Sequence, residues 1–237
     1  AAGIQSASFY AGGQTSGGIT AITELYNGTA WTEVNDLNTA RRYFPGAGTT
    51  TAGLVFSGTP PTVAITESWN GTNWTEVNDM NQARQYTGGA GANNTAALGF
   101  GGYFSPGNFS ALTELWNGTN WTEVNDLNTG RSQVGAAGIS TAALAFSGSV
   151  AGSPDISAAT ESWNGTNWTA VNAMGTGRYS LAGAGTQTSA LGFGAAGPVG
   201  QVPAGTESWN GTNWTSVAAL NTGRGMMGGA GADNTSA

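Results

Sequence analysis

Pairs of glutamates recur on either side of a short turn, and two facing carboxylates are the residues that glycosidases use. In the stretch 66–76 the turn signal Asn-Gly would place Glu67 opposite Glu76. Directly opposed side chains lie about 4.5–5.5 Å apart at Cβ, which fits the short carboxylate separation of a retaining glycosidase. The same pairs recur in two other copies of the stretch, as Glu24 with Glu33 and Glu114 with Glu123.

The rest of the sequence argues against catalysis at these pairs. In the last two copies the second glutamate is replaced by Ala170 and Ser216, and an outer hairpin is a poor place to shield a sugar from water. The chain has no His and no Cys, which removes the commonest acid–base residue, thiolate chemistry and most zinc sites. We therefore expect no catalytic residue and no cofactor.

A calcium site is the only metal site that the acidic residues suggest. Glu76, Asn78 and Asp79 offer the clustered oxygens that a hard cation prefers, but they lack the spacing of an EF-hand loop. Solvated loop carboxylates are the favoured interpretation, and we expect no metal.

One glutamate in each copy is matched by one arginine that opens the following unit. Catalysis seldom needs five identical sites, whereas five identical structural units need five identical braces, so we predict structural ion pairs. If such a pair is buried, removing one partner costs roughly 3–5 kcal/mol because the other charge is stranded. The expected members are the glutamates Glu24, Glu67, Glu114, Glu161 and Glu207 and the arginines Arg41, Arg84, Arg131, Arg178 and Arg224.

These residues belong to a repeat that runs through the whole chain. Its second tryptophan stands at Trp31, Trp74, Trp121, Trp168 and Trp214, at spacings of 43, 47, 47 and 46 residues, a period typical of arrays of small β-units. Each unit has four short segments with strand character: a glycine-rich segment after the arginine, an apolar segment, Thr-Glu-Ser-Trp, and Trp-Thr-Glu-Val. The Asn-Gly step between the last two predicts a tight hairpin.

The two ends of the chain complete one repeat between them. Residues 1–13 align with 136–148, and residues 229–237 duplicate the element that residues 1–7 also resemble. We therefore predict a single all-β domain over residues 1–237: a five-bladed β-propeller of four-stranded antiparallel blades, its ring closed by N-terminal strands plus a C-terminal inner strand, with no open sheet edge. The expected blades are 1–35 with 224–237, then 41–78, 84–125, 131–172 and 178–217.

The repeat resembles the kelch motif. A glycine pair ends an apolar strand at 98–102, a glutamate precedes an aromatic residue at Glu114 and Trp116, Trp121 follows the turn, and Arg131 opens the next unit. The resemblance covers the whole chain and implies a propeller, although kelch rings usually have six or seven units and a hairpin less rich in Asn, Gly and Thr. The near-identical copies resemble recently amplified or engineered arrays, of the kind seen in viral and microbial surface proteins.

Composition excludes several kinds of partner. The net charge is −7 with no Lys and six Arg, so a nucleic-acid backbone would be repelled. No run of about 18 apolar residues is present, so we expect no membrane insertion. The Asn-Gly-Thr steps match the N-glycosylation pattern, but the turn requires Asn-Gly and the strand favours Thr, which produces the same pattern; these steps are at Asn27, Asn70, Asn117, Asn164 and Asn210.

The copies differ from one another in two places, and variable positions on a rigid scaffold are where binding is expected. One is the loop between the second and third strands, which in one copy carries three aromatic residues. The other is the pair of residues after each repeat arginine, such as 42–43, 85–86 and 179–180. The candidate ligand-binding residues are Tyr103, Phe104, Phe109, Tyr43, Tyr86 and Tyr179.

We therefore expect a non-catalytic recognition or structural module, extracellular or associated with a virion, acting as a monomer or as part of a larger assembly. Its expected partner is a glycan or a protein surface. Carbohydrate binding resembles what five-bladed lectins do with repeated shallow sites between blades; protein docking, or a purely structural scaffold that is natural or engineered, is the alternative. A glycan-active enzyme is a remote alternative. Some kelch-related propellers, such as galactose oxidase, are catalytic, but their copper ligands include His, and this chain has none.

Overall fold

Each repeat forms a four-stranded antiparallel sheet, and five such sheets are arranged as the blades of a propeller. The computed structural model describes residues 1–104, 107–152, 155–196 and 203–236. Every regular element within these ranges is a strand, and no helix there is long and apolar enough to cross a membrane. The predicted fold class, an all-β five-bladed propeller, is confirmed.

The strands follow one another from the axis of the ring outwards in each blade. Blade 1 contains β1 (Ala2–Ile4), β2 (Ala7–Ala11), β5 (Thr23–Tyr26) and β6 (Trp31–Val34). Blade 2 contains β7 (Gly46–Thr49), β8 (Ala52–Phe56), β9 (Thr66–Trp69) and β10 (Trp74–Val77). Blade 3 contains β11 (Gly88–Asn93), β12 (Ala96–Phe100), β15 (Thr113–Trp116) and β16 (Trp121–Val124). Blade 4 contains β17 (Gly135–Ile139), β18 (Ala142–Phe146), β19 (Thr160–Trp163) and β20 (Trp168–Val171). Blade 5 contains β21 (Ala182–Thr186), β22 (Ser189–Phe193), β23 (Thr206–Trp209) and β24 (Trp214–Val217). Two small hairpins lie in loops between second and third strands: β3 (Gln14–Thr15) with β4 (Gly18–Ile19), and β13 (Tyr103–Phe104) with β14 (Asn108–Phe109).

The outer hairpin of each blade has the predicted register. In blade 2 the Asn70 side-chain oxygen accepts hydrogen bonds from the backbone N–H groups of Thr72 and Asn73, both at 2.9 Å, while the intervening glycine has a φ of +93°. Such a turn suits Asn followed by Gly. It pairs Trp74 with Trp69, and their ring centroids lie 5.2 Å apart.

Small residues allow the inner strands to approach one another around the axis. A Cβ atom on Gly183 of β21 would lie 2.2 Å from the carbonyl oxygen of Ala136 in β17, so only glycine fits this close approach. The space that remains between the inner strands is a channel of about 750 Å³, lined mostly by glycine and alanine.

Four of the five junctions between neighbouring blades are closed by the same contacts. At the junction of blades 1 and 2, the Trp74 indole N–H donates a hydrogen bond to Thr23 Oγ1 at 3.0 Å. The Trp74 ring packs edge-on against Phe9, with centroids 5.8 Å apart. The hydrophobic core therefore consists of clusters in which residues of neighbouring blades meet. At the other three junctions the tryptophans are Trp121, Trp168 and Trp214.

Blades 2 to 5 also each contain a buried ion pair. Arg41 Nη1 lies 2.7 Å from Glu67 Oε1, and both side chains are buried. The other oxygen of Glu67 accepts hydrogen bonds from the backbone N and Nδ2 of Asn38 at 2.7 and 2.8 Å, which ties the blade to the segment that precedes it. Three of the other expected pairs are present at 2.6–2.7 Å: Arg84 with Glu114, Arg131 with Glu161, and Arg178 with Glu207.

The junction between blade 5 and blade 1 lacks these contacts among the described residues. Trp31, the counterpart of Trp74, is 49% exposed, whereas Trp74 is 5% exposed. Thr206 Oγ1, the counterpart of the hydroxyl that accepts the indole hydrogen bond, is buried without a partner. Glu24 and Arg224, expected to be the fifth ion pair, do not pair; Arg224 Nε donates instead to a backbone carbonyl two residues earlier.

The position of the chain ends explains this difference. In blades 2 to 5 the arginine is followed within a few residues by the inner strand of the same blade, whereas the inner strand of blade 1 is β1, at the other end of the chain. The segment 228–232 lies beside β21, where Gly185 N donates to Gly231 O at 3.2 Å.

The blade 1 sheet consists of N-terminal residues, and within the described residues the segment 224–236 adds no strand to it. A two-residue turn joins β1 to β2. We attribute the position of β1 to this short turn, because closing it costs less conformational entropy than bringing in a strand from the far end of the chain.

Candidate functional site

Five residues, one from each repeat, adopt a left-handed backbone conformation at the same repeat position. Each is the second residue after a repeat arginine, and the φ values lie between 53° and 61°. Such values are uncommon for residues other than glycine and mark positions that the surrounding structure holds in place. We call this set the axial ring: Tyr43, Tyr86, Gln133, Ser180 and Met226.

Backbone hydrogen bonds link the axial ring from one repeat to the next. The amide N–H of Tyr86 donates to Tyr43 O at 2.8 Å, and that of Gln133 donates to Tyr86 O at 3.0 Å. The series continues from Ser180 to Gln133 at 3.0 Å and from Met226 to Ser180 at 2.9 Å. The left-handed conformation thus allows residues far apart in sequence to meet around the axis.

The axial ring lines a cavity of about 430 Å³, which we call the axial pocket. Tyr10, Gln14 and Arg42 line it as well, and Phe44 and Leu181 border both this pocket and the central channel. Its volume lies within the range of about 300–1,000 Å³ that is usual for small-molecule sites.

Three side chains in the axial pocket form a stack. The rings of Tyr43 and Tyr86 are stacked with centroids 4.3 Å apart, and the Arg42 guanidinium lies over the Tyr43 ring at 4.6 Å. Burial is the largest of the effects that raise the pKa of Tyr86 to about 12, and a hydrogen bond with Tyr43 adds to it against a smaller opposing effect of Arg42. The Tyr86 hydroxyl is therefore a neutral hydrogen-bond donor at physiological pH.

Two residues at the pocket, Arg42 and Ser180, each have one buried polar atom that makes no hydrogen bond among the described residues. The Arg42 guanidinium forms no ion pair; it donates one hydrogen bond to Gln14 Oε1, and its buried Nε makes none. The Ser180 hydroxyl is also buried without a hydrogen bond, in a residue that is 8% exposed. These two atoms are buried in protein rather than facing the cavity, and the Nε atoms of Arg41, Arg84, Arg131 and Arg178 are equally unpaired away from the pocket.

The remaining aromatic candidates are divided between other places. Tyr103 and Phe109 pack against each other across the β13–β14 hairpin, with ring centroids 5.6 Å apart, and Phe104 is half-buried in the same hairpin. Tyr179 pairs its backbone with Ala196, whereas the adjacent Ser180 lines the pocket. Of the six residues selected from the sequence, Tyr43 and Tyr86 line the axial pocket.

Sequence reasoning did not select the other lining residues, among them Tyr10, Gln14, Arg42, Gln133, Ser180 and Met226. Three of them occupy the repeat position of Tyr43 and Tyr86. The signal was therefore available in the divergence of this position, but it was applied only to the aromatic residues.

The acidic candidates have structural partners. Glu67 lies opposite Glu76 as predicted, but it is buried and both its oxygens accept hydrogen bonds. Asn78 binds the next blade through Asn120, and Asp79 Oδ1 accepts a hydrogen bond from Thr66 N at 3.3 Å. Among the described residues no cluster of three acidic side chains could hold a metal ion.

No protein-family model matches the chain, and no curated protein matches it. The repeated four-stranded blades are observed directly, while the likeness to kelch repeats remains a resemblance. The function therefore has to be argued from the site itself.

Proposed function

We propose that the protein is a non-catalytic recognition module that binds a carbohydrate in the axial pocket. The observation that carries the proposal is the convergence of five divergent residues, one from each repeat, on a single cavity that is lined by both aromatic and polar residues. The residues that recur in every repeat form the structural contacts within and between blades, and the divergent residues are available to recognise a ligand.

The chemistry of the pocket suits a sugar. Saccharides present apolar ring faces that pack on aromatic side chains, and hydroxyl groups that need both donors and acceptors. Tyr86 offers a ring, Gln133 offers an amide, and Arg42 offers a guanidinium. A largely apolar ligand would leave these polar groups unpaired.

The geometry favours one site per chain over a site in each blade. The residues that recur in every repeat are bonded to one another at four junctions, as in the indole hydrogen bond from Trp121 to Thr66 and the Arg84–Glu114 ion pair. Few of their polar groups are free to bind a ligand between blades. The shallow repeated sites expected from the lectin resemblance are therefore replaced in our proposal by one central site.

A second candidate function is protein docking through the β13–β14 hairpin. Its support is that Phe104 and Phe109 are half-buried on a projecting hairpin within one blade. Partners that bind there would leave the axial pocket untouched.

A glycan-array screen followed by calorimetry on the best hit tests the proposal. We expect one ligand per chain. Tyr86→Asn should weaken binding by about tenfold or more, because it removes the ring while Asn tolerates the left-handed backbone. Tyr103→Ala is the matched control, since it removes a tyrosine outside the pocket and should leave the affinity unchanged.

A stoichiometry near five ligands per chain would contradict the single-site proposal. Loss of binding in Tyr103→Ala with normal binding in Tyr86→Asn would move the site to the β13–β14 hairpin.

A further inference from the structure

We infer that the ligand of the axial pocket carries a carboxylate, as an acidic monosaccharide unit does, and that Arg42 binds it. This inference rests on the proposed function of the pocket and names the chemical class of its ligand.

The six arginines of the chain divide into three kinds. Four are buried in ion pairs with glutamates at 2.6–2.7 Å. Arg224 is exposed at the fifth junction. Arg42 alone lines the pocket, and in the described structure it forms an ion pair with none of the acidic residues. Its charge is therefore available to a ligand.

The repeat does not require an arginine at this position. The residues that follow the other repeat arginines are Gln85, Ser132, Tyr179 and Gly225. The backbone of the position is built equally well with these residues, since Gln85 and Ser132 form the same bridge to the neighbouring loop as Arg42 does. The Arg42 guanidinium therefore takes no part in the structural contacts that the repeats have in common.

The Arg42 side chain is held ready for a ligand. It lies over the Tyr43 ring at 4.6 Å and donates a hydrogen bond to Gln14, so little side-chain freedom is left to lose on binding. Because Arg42 lines the pocket, its guanidinium can offer N–H groups to a carboxylate, the charge-assisted contact that arginine commonly makes.

The charge around the pocket favours an anion. Tyr10, Gln14, Gln133 and Ser180 contribute neutral polar groups, and none of the acidic residues in the described ranges lines the pocket, although the chain has 13 of them. An anionic group would gain an ion pair here that a neutral sugar cannot form.

Calorimetry at low salt with D-glucuronic acid, D-glucose and D-glucose 6-sulfate tests the inference. We expect the uronic acid to bind at least about tenfold more tightly than glucose, as is typical of a charge-assisted bidentate contact. Arg42→Gln should abolish that preference, and it should fold because the third repeat carries glutamine at the same position.

Arg224→Gln is the matched control: it removes the same charge from an arginine outside the pocket and should leave the preference intact. If glucose and glucuronic acid bind equally and Arg42→Gln changes neither, the inference is wrong while the proposed function stands. If none of the sugars binds and the glycan array is also negative, both fail. Tighter binding of the sulfated sugar than of the uronic acid would overturn the assignment of a carboxylate.

Discussion

Trp74 and Trp31 occupy the same position in adjacent blades and are followed by the same residues, Thr-Glu-Val. Each packs against the aromatic residue opposite it in its own hairpin at 5.2 Å, yet their contacts with the adjoining blade differ. Trp74 is buried between Phe9 and Thr23 of the neighbouring blade. Trp31 faces the junction with blade 5 and is about half exposed. A repeated residue therefore contributes to stability only where the adjoining blade presents its partners, and the repeat sequence alone does not determine that.

The fifth junction also differs from the other four in sequence. At the closed junctions an asparagine after the fourth strand donates to an asparagine in the next hairpin, as Asn125 does to Asn167 at 2.7 Å. At the fifth junction the donor position is Ala218 and the acceptor position is Ala30. The fifth junction therefore has neither the donor nor the acceptor of this side-chain hydrogen bond.

The largest expected contrast concerns the buried ion pairs. Glu161→Gln leaves the buried Arg131 charge without its counter-ion and should lower the free energy of unfolding by about 3–5 kcal/mol. Glu24→Gln, the same change at the fifth position, should lower it by less than about 0.5 kcal/mol, because Glu24 forms no ion pair. Urea unfolding of both variants measures the contrast, and similar losses would contradict it.

A smaller contrast is expected for the indole hydrogen bonds. Trp121→Phe keeps a ring against Phe56 but leaves the buried Thr66 hydroxyl without its donor, which should cost about 1–3 kcal/mol. Trp31→Phe should have almost no effect, because the Trp31 indole N–H donates no hydrogen bond within the part of the chain that the structure describes. Thermal unfolding followed by circular dichroism distinguishes the two; an equal fall in midpoint would mean that the fifth junction is closed in solution.

The smallest expected effect concerns the exposed asparagine contacts. Asn125→Ala places at the junction of blades 3 and 4 the alanine that the fifth junction has at this position. It should lower the free energy of unfolding by about 0.5–1.5 kcal/mol, because one hydrogen-bonded side chain is lost. Asn125 also donates to the backbone carbonyl of Thr166 at 3.0 Å. The reverse change, Ala218→Asn, can add at most such a backbone contact because Ala30 offers no side-chain acceptor, and it should alter the free energy of unfolding by less than about 0.5 kcal/mol. A stabilisation by Ala218→Asn as large as the loss in Asn125→Ala would contradict this.

The architecture could be predicted from the sequence because every repeat carries the same local signals. The Asn-Gly turn determines the hairpin, the hairpin determines which tryptophans and glutamates face each other, and the repeat period indicates the number of blades. The four ion pairs that formed belong to blades whose arginine and inner strand are continuous in the chain. Glu24 and Arg224 were expected to pair by analogy with the other repeats. Arg224, however, is not followed in the chain by the inner strand of blade 1, which is β1 at the N-terminal end.

The axial pocket could not be predicted in the same way. Successive residues of the axial ring lie more than 40 residues apart in sequence. Their left-handed conformations occur in Tyr, Gln, Ser and Met, which carry no local signal for positive φ. Divergence identified the position, but convergence on the axis is a property of the ring. Residues such as Gln133 and Ser180 become notable only when the neighbouring repeats are in place.

The contact-dependent stability of the repeats is tested most directly by amide hydrogen exchange, read by mass spectrometry, in two matched hairpins. The β15–β16 hairpin (113–124) and the β5–β6 hairpin (23–34) have the same turn and nearly the same sequence. Exchange protection follows local packing, so we predict that amides in 23–34 exchange faster by about tenfold or more than those in 113–124. Equal protection of the two hairpins would contradict the account, because it would mean that the fifth junction is as well packed as the other four.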